Sequence, residues 1–281
     1  MQTRSAPEDK DWALARDYVA GEAKPADLVV FAPRWVDPLG RQHFGADLAT
    51  IEREARADET RFSRAFEVSI RGAHQPEFAR WRRNAEKQFG RVSVTTWENP
   101  TPTTVIDDLV SRVSPRTLRV SRVADSGRES DCPFIHGPAQ SGGLGFGPAI
   151  PADRFACPGG GFVAASVVAD LDYVPHRCIY APPAPGAATR MRFLGVRLGQ
   201  ALHGHHALYV EAERQRKGAP VTIAFTAGES ALGSLVHEDG DGWKPFEFDT
   251  SQLAGQQMDV VVEVSSPNAY GRMYCFEADT R

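Results

Sequence analysis

The sequence predicts a small N-terminal three-layer α/β unit, residues 1–114, followed by an antiparallel jelly-roll β-sandwich, residues 115–281. Two observations predict this. In the first half, apolar runs at 28–32, 65–70 and 91–97 alternate with helix-prone segments, the pattern of an α/β unit. In the second half, Met258, Val260, Val262 and Val264 recur at alternate positions, with Asp259 and Glu263 among the residues between them. Period-two patterning, broken by short turns such as Glu238-Asp-Gly-Asp-Gly242, marks an antiparallel sandwich.

The first half begins with a helix at 12–20, capped by Asp11 and stopped by Gly21. Trp12, Ala15, Tyr18 and Val19 give it one apolar face. The unbroken run 28–32 suits a strand buried on both faces, as in a parallel sheet. Residues 47–61 are polar and helix-prone, and 65–70 form a second strand. Phe78, Trp81 and Ala85, at three- and four-residue steps, predict a helix over 75–89. A third strand follows at 91–97. Parallel strands with right-handed crossovers would place a ligand crevice at their carboxyl ends.

Pro100-Thr-Pro-Thr-Thr breaks the chain, a short helix is expected at 105–113, and Ser114-Pro115 ends it. Beyond it, strands are expected at 117–122, 161–168, 177–180, 190–198, 208–214 and 221–225, and then through the patterned C-terminal stretch. Their number fits a two-sheet jelly roll. The stretch 137–156 reads as a long flap. Its Gly142-Gly-Leu-Gly-Phe-Gly147 is no phosphate loop, because Pro148 and Pro151 leave no helix N-terminus behind it.

An apolar fraction of 42% and a charged fraction of 24% are those of an ordinary globular chain. The net charge of −4 gives no electrostatic case for nucleic acid. Arginine outnumbers lysine 27 to 5, which reflects base composition rather than function. No run of about 18 apolar residues spans a membrane. Residues 1–10 are polar and lack the apolar core of a signal peptide. The chain is then either cytoplasmic or a piece of a longer one. Cys132, Cys157, Cys178 and Cys275 all lie in the β-rich half. Two disulfides in an oxidising compartment, extracytoplasmic or periplasmic, are one reading, and four buried thiols in the cytoplasm the other. No Cys-x-x-Cys spacing points to zinc or thioredoxin chemistry.

Polar residues collect after the expected strands of the first half: Arg34, Trp35, Asp37 and His43 after the first, Arg71 and His74 after the second. They suit an anionic or sugar-like group, with the arginines donating and Trp35 as a stacking wall. A solvated loop rim is the plainer reading. Bulky Pro33-Arg34-Trp35 stands where a dinucleotide site needs glycine. Tyr209 and Trp243 are candidate sugar platforms, as are Tyr270 and Tyr274, against core filling. His203 and His205 would share a strand face, with Glu211 or His237 as a third ligand. A turn with ordinary histidines is the favoured reading, and no metal and no cofactor are expected. Asp239-Gly-Asp241-Gly resembles a calcium loop but lacks the closing glutamate, Thr250 standing in its place; a hairpin turn is favoured. The nucleophile elbow Gly-x-Ser-x-Gly and the Walker and His-Glu-x-x-His motifs are missing. Paired glycosidase carboxylates have no fixed spacing by which to be found.

Asp11-Trp-Ala, Tyr18-Val and Asp27-Leu-Val-Val-Phe-Ala-Pro33, with the strand at 91–97, resemble the soluble extracytoplasmic region of bacterial GT-C-type membrane glycosyltransferases, relatives of protein mannosyltransferases. Gly242-Trp-Lys-Pro-Phe-Glu-Phe-Asp-Thr250 and the closing strands look like a galactose-binding-like jelly roll. The resemblance implies that the catalytic aspartate lies among membrane helices this chain lacks. It implies a non-catalytic glycan- or partner-binding protein, with a membrane glycosyltransferase as a possible partner. A hydrolase acting on carbohydrate or ester substrates at the α/β rim is the alternative.

Overall fold

The computed structural model describes residues 6–56, 58–142 and 147–281. The polar start at 1–10 lies partly outside the described residues, as does most of the glycine run at 142–147. The chain divides into two compact units, residues 1–104 and 105–281.

The first unit is built on α1 (Asp9–Glu22), β1 (Leu28–Ala32), α2 (Asp37–Phe44), α3 (Ile51–Glu54), β2 (Arg64–Ile70), β3 (Arg82–Phe89) and β4 (Val92–Glu98). The strand order is β1-β2-β4-β3. β1 and β2 run parallel, but β4 is antiparallel to both β2 and β3. The all-parallel sheet is therefore corrected. So is the helix at 75–89: Pro76 opens a 3-10 turn, Pro76–Arg80, and the chain then extends as β3. Likewise, among its described residues, 47–61 holds only α3 and a 3-10 turn, Glu59–Arg61. Asp11 sits inside α1 as the reciprocal partner of the N-cap Glu8 rather than as the cap itself.

Side-chain alternation sorts this sheet's faces. Val29, Phe31, Phe66, Val68, Val92 and Val94 join Trp12, Ala15 and Val19 of α1 in one core. Leu28, Val30 and Ala65 meet Phe78 and Trp81 in another. Each strand of the parallel pair thus buries both faces, which is why β1 is apolar throughout.

The second unit holds β5 (Asp107–Asp108), β6 (Leu118–Ala124), β7 (Glu129–Asp131), β8 (Phe134–His136), β9 (Asp153–Ala156), β10 (Phe162–Ala169), β11 (Pro175–Tyr180), β12 (Ala187–Arg197), β13 (Ala201–Leu208), α4 (Val210–Arg214), β14 (Val221–Ala227), β15 (Ser230–His237), β16 (Lys244–Asp249), β17 (Gln257–Ser265) and β18 (Tyr274–Thr280). One sheet runs β16-β13-β18-β11-β10-β9-β8, with β5 on β18, and the other β15-β14-β17-β12-β6-β7. All of these pairings are antiparallel. Val260, Val262 and Val264 meet Leu202, Phe246 and Phe276 in a core between the sheets, so this unit is a β-sandwich. Several elements differ from the sequence reading: the histidines at 203, 205 and 206 lie in strand β13 rather than in a turn, and the expected flap ends in strand β9. Residues 210–214 are helical, not extended, and 107–112 form β5 and a 3-10 turn in place of a helix.

Cys132 is bonded to Cys157 and Cys178 to Cys275. Two disulfides favour an extracytoplasmic location. No helix among the described residues is long and apolar enough to cross a membrane.

Candidate functional site

At the end of β1 the chain makes a 3-10 turn, Arg34–Val36, before entering α2. The turn buries Val36 in the core and leaves Trp35 outward, 63% exposed. After β2 the chain turns tightly: Arg71 and Gly72 both have positive φ, 58° and 66°, and the Ala73 amide donates to the Ile70 carbonyl at 3.1 Å. Two central residues at positive φ define a primed turn, whose first central position favours Asn, Asp or Gly. Arginine occupies it here, and its guanidinium lies over the Trp35 indole, 5.7 Å from the ring centroid.

Beside them Arg34 pairs with Glu77. Glu59 lies in the same field. Burial first, and then the Glu77 charge, push its carboxyl up to about 7, against the pull of Arg34. His74 is drawn inward instead. Its Nδ1 contacts the fully buried Glu67 carboxylate at 2.7 Å. That carboxylate also accepts from the Trp97 indole at 2.9 Å and from the Gln75 amide.

Asp37 and His43 are engaged separately. Asp37 opens α2 and accepts from Arg41 one turn on. Burial raises its carboxyl above the ordinary range despite that arginine. His43 stacks on Trp12, with centroids 5.3 Å apart and planes 1° from parallel. The structure therefore groups Trp35 with Arg71, Arg34 with Glu77 and Glu59, and His74 with Glu67. Glu59, Glu67 and Glu77 were not singled out in the sequence. Glu67 carried a signal, a carboxylate in mid-strand between Phe66 and Val68.

In the second unit, alternation along β13 sends Leu202 and Leu208 into the core and His203 and His205 to the opposite face. On β18, Phe276 and Ala278 point inward and Glu277 outward. The register sets His205 opposite Glu277, with Nδ1 2.8 Å from Oε1. Ligand atoms of His203, His205 and Glu277 lie within 4.8 Å of one another. Burial first, then the charges of Arg281 and His205, hold the His203 imidazole below its ordinary value.

Trp243, just before β16, stacks on His176 at 4.1 Å and 4°, and lies 5.8 Å and 5° from His205. It is half-buried and packs on a small cluster that contains the buried Tyr209. Neither is an open platform. His176 Nε2 contacts Asp170 Oδ2 at 2.8 Å. Burial raises Asp170, but the hydrogen bond and charge of His176 and two backbone amides outweigh it and leave the carboxyl low.

The third residue near His203 and His205 is Glu277, not Glu211 or His237. His237 is fully buried and contacts Glu213, 3.1 Å away. His206 also points inward, with Nδ1 2.9 Å from the Tyr274 hydroxyl. In the turn at 238–243, Asp239 accepts from Arg272 and from the Gly218 amide, and Asp241 from Lys244 and the Glu238 amide. Protein donors thus engage the carboxylates of the calcium-like sequence, but the turn is not the expected hairpin: it carries the chain from β15 in one sheet to β16 in the other.

No protein-family model matches the sequence, and no curated protein matches it. Two solved structures from Clostridium perfringens ZmpB are similar to parts of the chain. One contains the CBM51-2 and INT domains, the former in complex with GlcNAc: TM-score 0.32 and 8% identity, covering 63% of this chain and 40% of that one. The other contains the M60 catalytic domain with CBM51-1 and CBM51-2: TM-score 0.32 and 10% identity, covering 68% of this chain and 21% of that one. The chain thus spans less than half the length of either.

Proposed function

We propose that this chain is a non-catalytic, extracytoplasmic glycan-binding protein, with its binding surface at Trp35 and Arg71. One observation carries the reading: Trp35 is 63% exposed while an arginine in a left-handed turn holds its guanidinium over the ring. A large aromatic left in water forgoes the free energy of burial, and a non-glycine residue at positive φ costs about 1–2 kcal/mol. Packing at this spot thus favours neither residue, whereas a ligand would use both. A pyranose face packs on an indole, and the guanidinium donates to ring hydroxyls or a sugar carboxylate. The disulfides support the extracytoplasmic part.

The finer assignment, a galactose-binding-like jelly roll kin to the soluble part of a membrane glycosyltransferase, rests on the sequence resemblance. Co-purification with such an enzyme from membranes is its test. For the binding surface, the test is a glycan array followed by calorimetry on wild type and Trp35→Ala. Binding that disappears in the variant, with an unchanged melting temperature, is expected. A wild type that binds no glycan, or a variant that binds equally well, overturns the proposal.

A second reading has its own observation. Glu59, pushed up to about 7 beside Glu77, has the character of a general acid next to a second carboxylate, the pair a glycosidase uses. Hydrolysis of chromogenic glycosides that is lost in Glu59→Gln would favour it. A wild type without turnover removes it.

A further inference from the structure

We propose that His203, His205 and Glu277 form a binding site for a divalent transition-metal ion of the zinc type, on the outer face of the larger sheet. The proposal is independent of the Trp35 surface, which lies in the other unit.

The fold itself brings the three residues together. A His-x-His sequence on a strand places both imidazoles on one face, and β18 runs beside β13 with His205 opposite Glu277. Gly204 stands between the histidines because a Cβ there would collide with the Glu277 carbonyl and the Phe246 ring. Glycine lets the two strands and the core beneath them close up. The ligand-bearing backbone is therefore ladder-bonded and rigid, as a precise site requires.

The donor set suits the ion. Two imidazoles and one carboxylate are a known zinc combination, with a further position open to water or a ligand. Zinc holds such atoms at about 2.0–2.2 Å, and the three donors, within 4.8 Å of one another, reach that arrangement by side-chain rotation. The His203 Nδ1 is buried and has no hydrogen-bond partner among the described residues. An orphaned buried nitrogen costs free energy that coordination would recover. The Glu277 side chain is 4% exposed, and its carboxylate contacts His205 rather than an arginine. Arg281 is held by Asp279. Glu247 stands opposite His203 across the sheet on β16, adding to the negative field. Coordination of the ion by His205 and Glu277 replaces the contact between them.

The test uses the full oxidised chain, stripped with EDTA and titrated with zinc sulfate by calorimetry. Bound metal is counted by mass spectrometry, and cobalt substitution is read by its visible spectrum. One zinc per chain and a tetrahedral cobalt spectrum are expected. His203→Asn and His205→Asn should each weaken binding by well over about ten-fold. Melting temperatures measured in EDTA show that these variants are folded. His136→Asn, on the exposed β8 pair with Asp153, controls for adventitious histidine binding and should leave the affinity unchanged. A wild type that binds no zinc stoichiometrically, or folded His203→Asn and His205→Asn variants that bind as tightly as wild type, overturns the proposal.

Discussion

Glu213 and His237 are both fully buried, and the Glu213 Oε1 lies 3.1 Å from the His237 Nε2. The same oxygen accepts from the Gly242 amide at 2.6 Å and the Gly240 amide at 3.2 Å. One carboxylate on α4 thus fastens the end of β15 and the turn leading to Trp243. Removing one partner of such a group leaves the others buried and unpaired, at about 3–5 kcal/mol. Glu213→Ala should lower the unfolding free energy by that amount, and Glu213→Gln, which keeps an acceptor, by less. Denaturant titration of the oxidised chain checks this. A loss below about 1 kcal/mol for the alanine variant would show that the turn holds without the carboxylate.

The two disulfides should contribute unequally. Cys132–Cys157 closes 25 residues and Cys178–Cys275 closes 97. On the chain-entropy account these loops correspond to about 3.5 and about 4.7 kcal/mol. The longer link also ties β11 to β18, adjacent strands of one sheet. Replacing Cys178 and Cys275 together by alanine should lower the denaturation midpoint more than replacing Cys132 and Cys157. The reverse order would mean that native packing around the shorter link outweighs the loop term.

The two units should respond to pH with opposite signs. Burial first, and then His237, push the His206 imidazole from 6.5 down to about 3. Between those values the unfolded chain holds a proton that the folded chain does not. This contribution to stability is full above 6.5 and is lost as pH falls toward 3, with a slope of up to about 1.4 kcal/mol per unit. Glu59, raised from 4.5 to about 7, behaves in the opposite way. Its folded form holds the extra proton, so its contribution is full below 4.5 and is lost as pH rises through 7. Hydrogen exchange between pH 4.5 and 7, corrected for intrinsic rates, should show β13 and β18 losing protection on acidification while the segment around Glu59 gains it. His206→Gln should flatten the first trend and Glu59→Gln the second. Unaltered trends in these variants would assign the pH response to other groups.

Much of this architecture is written in local pattern. The alternation of Val260, Val262 and Val264 placed them in the sandwich core, and the apolar run of β1 marked a strand with both faces covered. The failures have physical causes. β3 is an exposed edge strand rich in charge, as edges are when they resist further pairing. The three- and four-residue steps between Phe78, Trp81 and Ala85 read as the apolar face of a helix. In the structure those aromatics belong to a separate 3-10 turn packed on the sheet. The sites were harder still. His205 and Glu277 are 72 residues apart and meet only through strand register, which no local pattern encodes. Trp35 and Arg71 were both legible as candidates, but their contact depends on the turn that follows β2.

That turn allows folding to be separated from binding. Arg71→Gly removes the left-handed strain, about 1–2 kcal/mol, but adds unfolded-state entropy of roughly 0.5–1 kcal/mol. It also forfeits the guanidinium–indole contact, about 0.5–1 kcal/mol at an exposed site. The terms nearly cancel, so the variant should match wild type in stability to within about 1 kcal/mol by the same sums. If the Trp35 surface binds glycan, affinity should fall sharply in the same protein, because the donor over the ring is gone. Arg71→Lys should recover little of it, since an ammonium has neither the plane nor the fork of a guanidinium. Calorimetry alongside denaturant melts decides the matter. An Arg71→Gly protein that is markedly more stable and binds as well as wild type would mean the strained arginine has no part in recognition.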